Sequence, residues 1–207
     1  MASRKIISRA KEEDEFATWN KFAEFMQYFI SAQVKGDGPD LLLWCKNNYS
    51  LLNQWRLSSY VSGILLEHGL TLTQLPAELM NQFLHQQYRF EILEREALAL
   101  LRFCQHHKIK VMPLKGLWMA WRLLPHAAMR SFGDMDVWVD KEAQGVLESY
   151  LLEQGYHKTS SAKLGQKYHF HSSYYRLVNS IPVVFEVHWA LSPSRLESMP
   201  WQSIWKN

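Results

Sequence analysis

The chain has 207 residues, 47% hydrophobic and 21% charged, with a formal net charge of +3; this excludes a fibrous or disordered polypeptide and leaves room for one substantial core or two small ones. The mild positive charge permits contact with phosphates but is no DNA-binding signature. Cys45 and Cys104 lie far apart without neighbouring ligand residues, which argues against a disulfide framework or a zinc knuckle and for a reducing cytoplasm.

Met1 to Glu15 is charged throughout, so no signal peptide is expected there. Phe16, Trp19, Phe22, Ala23, Met26 and Phe29 or Ile30 recur at helical spacing, predicting an amphipathic helix that ends before the linker Gly36-Asp-Gly-Pro39. Leu41 to Tyr49 and Leu51 to His68 read as two further helices, with Gly69 stopping the second. The segment that starts at Pro76 continues without Gly or Pro to about His107 and predicts one long helix. Glu91, Glu94, Arg95 and Glu96 would form its solvated face, and Ile92, Leu93, Ala97, Leu100, Leu101 and Cys104 would pack inward.

The pattern changes at Ile109. A short strand at Val111-Met112, a helix from Gly116 to Leu124, a strand from Met135 to Val139 and a helix from Lys141 to Gln154 are predicted in turn. Strands from Tyr168 to Val178 and from Ile181 to Trp189 follow, joined by the turn-like Asn179-Ser180. The apolar stretch from Val111 to Met129 is broken by Lys115, Arg122 and two prolines, so no bilayer span is expected. The reading is an α+β fold in two parts, a helical region over 1–108 and a mixed sheet domain over 109–207. Trp118, Trp121 and Trp138 are read first as core residues.

Chemistry concentrates in the second part. In Arg130-Ser-Phe-Gly-Asp134-Met-Asp136-Val-Trp-Val139, strand alternation sends Asp134 and Asp136 to one side and Met135 and Val137 to the other. Two adjacent anions need a cation, and a hard divalent ion with oxygen ligands is the usual one. Glu186 offers a third carboxylate in Val183-Val-Phe-Glu186-Val-His188-Trp189, where His188 shares its face. Three convergent acids suit magnesium-assisted phosphoryl or nucleotidyl transfer. Pro113-Leu-Lys115-Gly116 supplies a candidate phosphate cradle at a strand-to-helix junction, combining a positive charge with the free amides of a helix start.

These segments, Leu114-Lys115-Gly116, Arg130 followed by Asp134-Met-Asp136, Leu-Leu-Glu-Gln-Gly-Tyr ending at Tyr156, and Phe185-Glu-Val-His-Trp189, resemble the DNA polymerase beta-like nucleotidyltransferase superfamily, in its branch of uncharacterised nucleotidyltransferases. The resemblance covers Ile109 to Trp189. It implies a palm-like mixed sheet with helices on one side, a magnesium or manganese site, and transfer of a nucleoside monophosphate from a nucleoside triphosphate such as ATP to an acceptor. Asp134, Asp136 and Glu186 would be the catalytic, metal-binding acids. Lys115 and Gly116 stand where the superfamily has a Gly-Ser phosphate turn, here without the hydroxyl. The acceptor is left open among a protein, a small molecule, a sugar and an RNA end.

Each residue also has a plainer role. Arg130 can bind phosphate or orient a carboxylate such as Glu186. His188 can touch substrate, orient Glu186 or serve the core. His169 and His171 share a strand face and can line an acceptor pocket, but are read first as structural. The same acids would also serve a kinase-like phosphotransferase acting on a peptide or small molecule, and the fold alone would serve a non-catalytic nucleotide- or partner-binding module.

Overall fold

The computed structural model describes residues 18, 20–31, 38–159 and 171–190. The chain falls into two compact units, Met1–Phe83 and Leu84–Asn207. α-Helix gives way to strand between His106 and Val111, and the two units divide at Phe83–Leu84, inside the long helix Ala77–His106.

The first unit is helical. It contains α1 over residues 20–31, α2 (Gly38–Asn47), α3 (Tyr49–Gln54), α4 (Ser58–Glu67) and the start of α5 (Ala77–His106). Phe25 is buried and Phe22, Met26 and Phe29 are half-buried, while Ala23 and Ile30 are exposed. The inward face of α1 is therefore 22-25-26-29, rotated from the predicted stripe; Phe16 and Trp19 lie outside the described residues. The Phe25 ring lies 5.2 Å from that of Trp44, which stacks on Trp55 at 6.4 Å, and Leu41, Leu52, Val61 and Leu65 fill the rest. Gly38 and Pro39, read as linker, open α2 instead, as first-turn residues that sacrifice no intrahelical hydrogen bond.

The predicted helix from Leu51 to His68 is interrupted. Arg56 takes a left-handed φ of 58°, and Leu57 N–H reaches back to the Leu52 carbonyl at 2.9 Å, the six-to-one closure of a Schellman turn. The same closure ends α4 at Gly69 and α5 at Lys108, where Leu70 N–H bonds Leu65 O and Ile109 N–H bonds Cys104 O. Glycine advertises such an end in sequence, whereas arginine and lysine do not.

The second unit is α+β. β1 (Val111–Pro113), β2 (Met135–Val139), β3 (His157–Lys158), β4 (His171–Val178) and β5 (Ile181–His188) form one mixed sheet in the order β1-β2-β5-β4-β3. Among the described residues only the β2–β5 pairing is parallel. β4 and β5 are joined by Asn179-Ser180, both at positive φ, the tight turn that matches strand twist. The Tyr168 to Phe170 part of the predicted strand lies outside the described residues. α6 (Lys115–Arg122), α7 (Gln144–Glu153) and the Leu84–His106 part of α5 share a core with one face of the sheet. That core holds Ile92, Leu93, Ala97, Leu100 and Cys104 with Met135, Val137, Phe185 and Val187. Trp138 is buried and Trp121 half-buried, but Trp118 is 44% exposed, with the Arg122 guanidinium 5.0 Å above its ring.

The supposedly solvated face of α5 is partly occupied. Glu94 accepts from Trp121 Nε1 at 2.7 Å, and Glu96 pairs with Arg176 and accepts from the Tyr156 hydroxyl at 3.2 Å. Among the described residues no helix is long and apolar enough to cross a membrane.

Both cysteines are free and buried, and burial pushes the Cys45 thiol up to about 12 and the Cys104 thiol up to about 11. Thiolate is the reactive form, so at pH 8 a disulfide reagent is expected to label the native protein at least about a hundredfold more slowly than the denatured chain. Rapid native labelling of either thiol would contradict this packing. Because folding raises both values, this contribution to stability is present below about pH 9 and is lost as pH rises towards 11 to 12.

Candidate functional site

The parallel pairing of β2 with β5 sets the site. Met135 faces Phe185 and Val137 faces Val187 on the helix-covered side, so the intervening partners, Asp136 with Glu186 and Trp138 with His188, fall together on the other side. On β4, Ser173 stands opposite Glu186 and His171 opposite His188, the two histidine rings 5.0 Å apart.

Asp136 is only 2% exposed. A carboxylate so placed needs compensation, and its Oδ1 receives it twice, from Lys115 Nζ at 2.6 Å and His188 Nε2 at 2.9 Å. Burial pulls the Asp136 carboxyl up, but the hydrogen bonds and charges of His188 and Lys115 prevail and hold it below its ordinary value. The same bond to Asp136 raises the Lys115 ammonium against partial desolvation, helped by the charges of Glu186 and Asp134. His188 Nε2 also lies 3.5 Å from Glu186 Oε2. Asp136, Glu186 and His188 each offer a ligand atom within 4.8 Å of the others. Two carboxylates and an imidazole fit a divalent ion.

Lys115 arrives there through the β1–α6 connection. Leu114 N–H bonds the Asp136 carbonyl at 2.9 Å, carrying the pairing one residue past β1, and Lys115 then turns the chain into α6 at a φ of 44°. Its side chain remains 63% exposed. No side chain caps the start of α6, which leaves its first amides available to an anion. Gly116 has a packing reason to be glycine: a Cβ there would stand 2.9 Å from Cβ and Cγ of Phe132.

The other predicted residues are placed differently. Asp134 precedes β2 by one residue, is half-buried, and stands outside the Asp136–Glu186–His188 group; its charge acts on Lys115 and Arg89. Arg130 is half-buried and pairs with neither Asp136 nor Glu186 among the described residues. His169 lies outside the described residues. Arg89 has no signal in the sequence, yet it donates to the Phe132 carbonyl and so ties α5 to the loop that carries Asp134. Burial pulls its guanidinium down, and the Asp134 charge opposes that shift.

A family model described as uncharacterised nucleotidyltransferase matches residues 45–207. The chain belongs to the uncharacterised nucleotidyltransferase family. No curated protein and no solved structure matches it. The family's match takes in both the Lys115-Gly116 turn and the acids of β2 and β5, together with helices of the first unit. Nucleotidyltransferases generally use divalent metals, and Asp136, Glu186 and His188 form a possible site for one.

The Phe132 contact gives a stability test for the turn. Gly116→Ala is expected to destabilise the fold by about 1 to 3 kcal/mol in denaturant titration, as an overpacked core position does. Gly133→Ala, where an added Cβ meets nothing within 4 Å, is expected to change stability by less than about 0.5 kcal/mol.

Proposed function

We propose that this chain is a metal-dependent nucleotidyltransferase that transfers a nucleoside monophosphate from a nucleoside triphosphate to an acceptor. The observation that carries the reading is the in-register pair Asp136–Glu186, with a cation already drawn to its buried member, in a chain of this family. Asp136 and Glu186 hold the ion, magnesium or manganese, and Asp134 adds negative charge at the mouth of the same strand. When bound, the ion neutralises the triphosphate and stabilises charge on the leaving group.

The protein's own groups do the rest. Lys115, paired with Asp136 in the absence of an ion, would turn its ammonium to the phosphates when the two acids hold one. The uncapped start of α6, beginning with the Gly116 amide, receives a phosphate oxygen, and Arg130 stands by for the triphosphate tail. An acceptor oxygen forms a bond to the α-phosphorus, the bond from that phosphorus to the bridging oxygen breaks, and pyrophosphate leaves. The acceptor's proton passes to a site carboxylate. The two free thiols accord with a reducing compartment such as the cytoplasm.

Calorimetric titration with each of the four common nucleoside triphosphates tests this. Wild type is expected to bind at least one of them only with magnesium or manganese, and Asp134→Asn combined with Asp136→Asn is expected to lose that dependence. Equal binding by both proteins would refute the assignment. Transfer of a label on the base identifies nucleotidyl transfer, whereas transfer of the γ-phosphate alone identifies a phosphotransferase. Absence of any metal-dependent triphosphate binding leaves a non-catalytic module.

Lys115→Met separates the two tasks of the lysine. It is expected to weaken triphosphate binding by about tenfold or more, the usual loss of a charge-assisted contact. In the absence of nucleotide it is expected to tighten divalent-ion binding, because the ion no longer competes with an ammonium for Asp136. Unchanged binding of both would remove Lys115 from the site.

A further inference from the structure

The place beside Asp136 and Glu186 that the sequence pattern gives to Asp134 is filled by an imidazole. Resting on the metal-dependent reading above, we infer that His188 is a nitrogen ligand of the ion, making this a mixed imidazole–carboxylate centre that prefers a divalent 3d ion such as manganese to magnesium.

Geometry carries the inference. Ligand atoms at right angles around an ion with bonds of about 2.0 to 2.2 Å stand about 2.8 to 3.1 Å apart. His188 Nε2 is 2.9 Å from Asp136 Oδ1 and 3.5 Å from Glu186 Oε2, so an ion seated between the carboxylates meets the nitrogen with a small adjustment of Glu186. The adjustable member is the right one: Glu186 is 23% exposed at its side chain, whereas Asp136 and His188 are 2% and 6%. His188 is fixed in three ways. It lies two residues from Glu186 on the same face of β5, pairs in register with Trp138, and has the His171 ring against it. Asp134, on the approach to β2, lies outside the group.

Donor chemistry then sets the choice of ion. Magnesium prefers oxygen ligands and parts with water reluctantly, while 3d ions accept imidazole readily.

The test uses the full chain loaded with manganese alone, after growth on histidine labelled with ¹⁵N. Pulsed electron paramagnetic resonance is expected to detect a directly coordinated nitrogen, which persists in His171→Gln and disappears in His188→Gln and His188→Asp. Two variants at position 188 guard against one that does not fold, with circular dichroism as the check. Calorimetry is expected to give wild type at least about a tenfold preference for manganese over magnesium, reduced to within a few fold in His188→Asp. Bound manganese without nitrogen coupling overturns the ligation and leaves the carboxylate site standing. Coupling that survives both His188 variants overturns the assignment to this residue. Failure to bind manganese at all overturns this inference and the metal-dependent function with it.

Discussion

The second unit is organised around one unfavourable act, the burial of the Asp136 carboxylate in the interior of a sheet. Two of its neighbours answer its charge. Lys115 reaches it from the start of α6, His188 from the adjacent parallel strand, and its carbonyl anchors Leu114 so that the Lys115 turn is held in place. A buried ion pair rarely stabilises a fold relative to apolar residues of the same volume. An acid kept there against that cost, and met by an exposed lysine, is the observation on which the proposed cation site rests.

The parallel β2–β5 pairing is what turns spacing into a site. In either strand alone, alternate residues merely share a face. Register aligns Met135 with Phe185 and thereby fixes Asp136 beside Glu186; a slip of one residue would turn the acid of the slipping strand into the helices and separate the pair. The apolar half of each strand therefore acts as the alignment device for the polar half. The core that α5, α6 and α7 form on one side fixes where Asp136, Glu186 and His188 stand on the other.

Much of this was legible in the residues. The alternation of Met135 to Val139 and of Ile181 to His188 identified the two strands, their polar faces and the turn at Asn179-Ser180, because period-2 patterning and turn chemistry are local properties. Local patterning put Asp134 beside Asp136 and left His188 a supporting role, because it could not supply the register that pairs β5 with β2. The structure groups the histidine, since Asp134 precedes the strand and is free of its alternation. Left-handed residues were hidden wherever a long side chain occupied them: Arg56 splits a predicted helix because nothing local distinguishes it from any other arginine. Glu94 and Glu96 seemed solvated for a similar reason. Their partners, Trp121, Tyr156 and Arg176, are between 27 and 80 residues away in sequence.

The turn at Lys115-Gly116 shows how strain and function are divided between adjacent positions. In sequence, Lys115 reads as a positive charge and Gly116 as part of a phosphate cradle. The left-handed φ instead falls on Lys115, and Gly116 is demanded by the Phe132 side chain. A glycine at position 115 would relieve about 1 kcal/mol of backbone strain, but it would leave Asp136 without its ammonium. A larger residue at 116 would push Phe132 away, and with it the carbonyl that Arg89 grips next to Asp134. The order Lys-Gly therefore answers two separate requirements, one electrostatic and one steric. Both converge on the same carboxylates, which is why a strained lysine persists where an unstrained glycine would fold more easily.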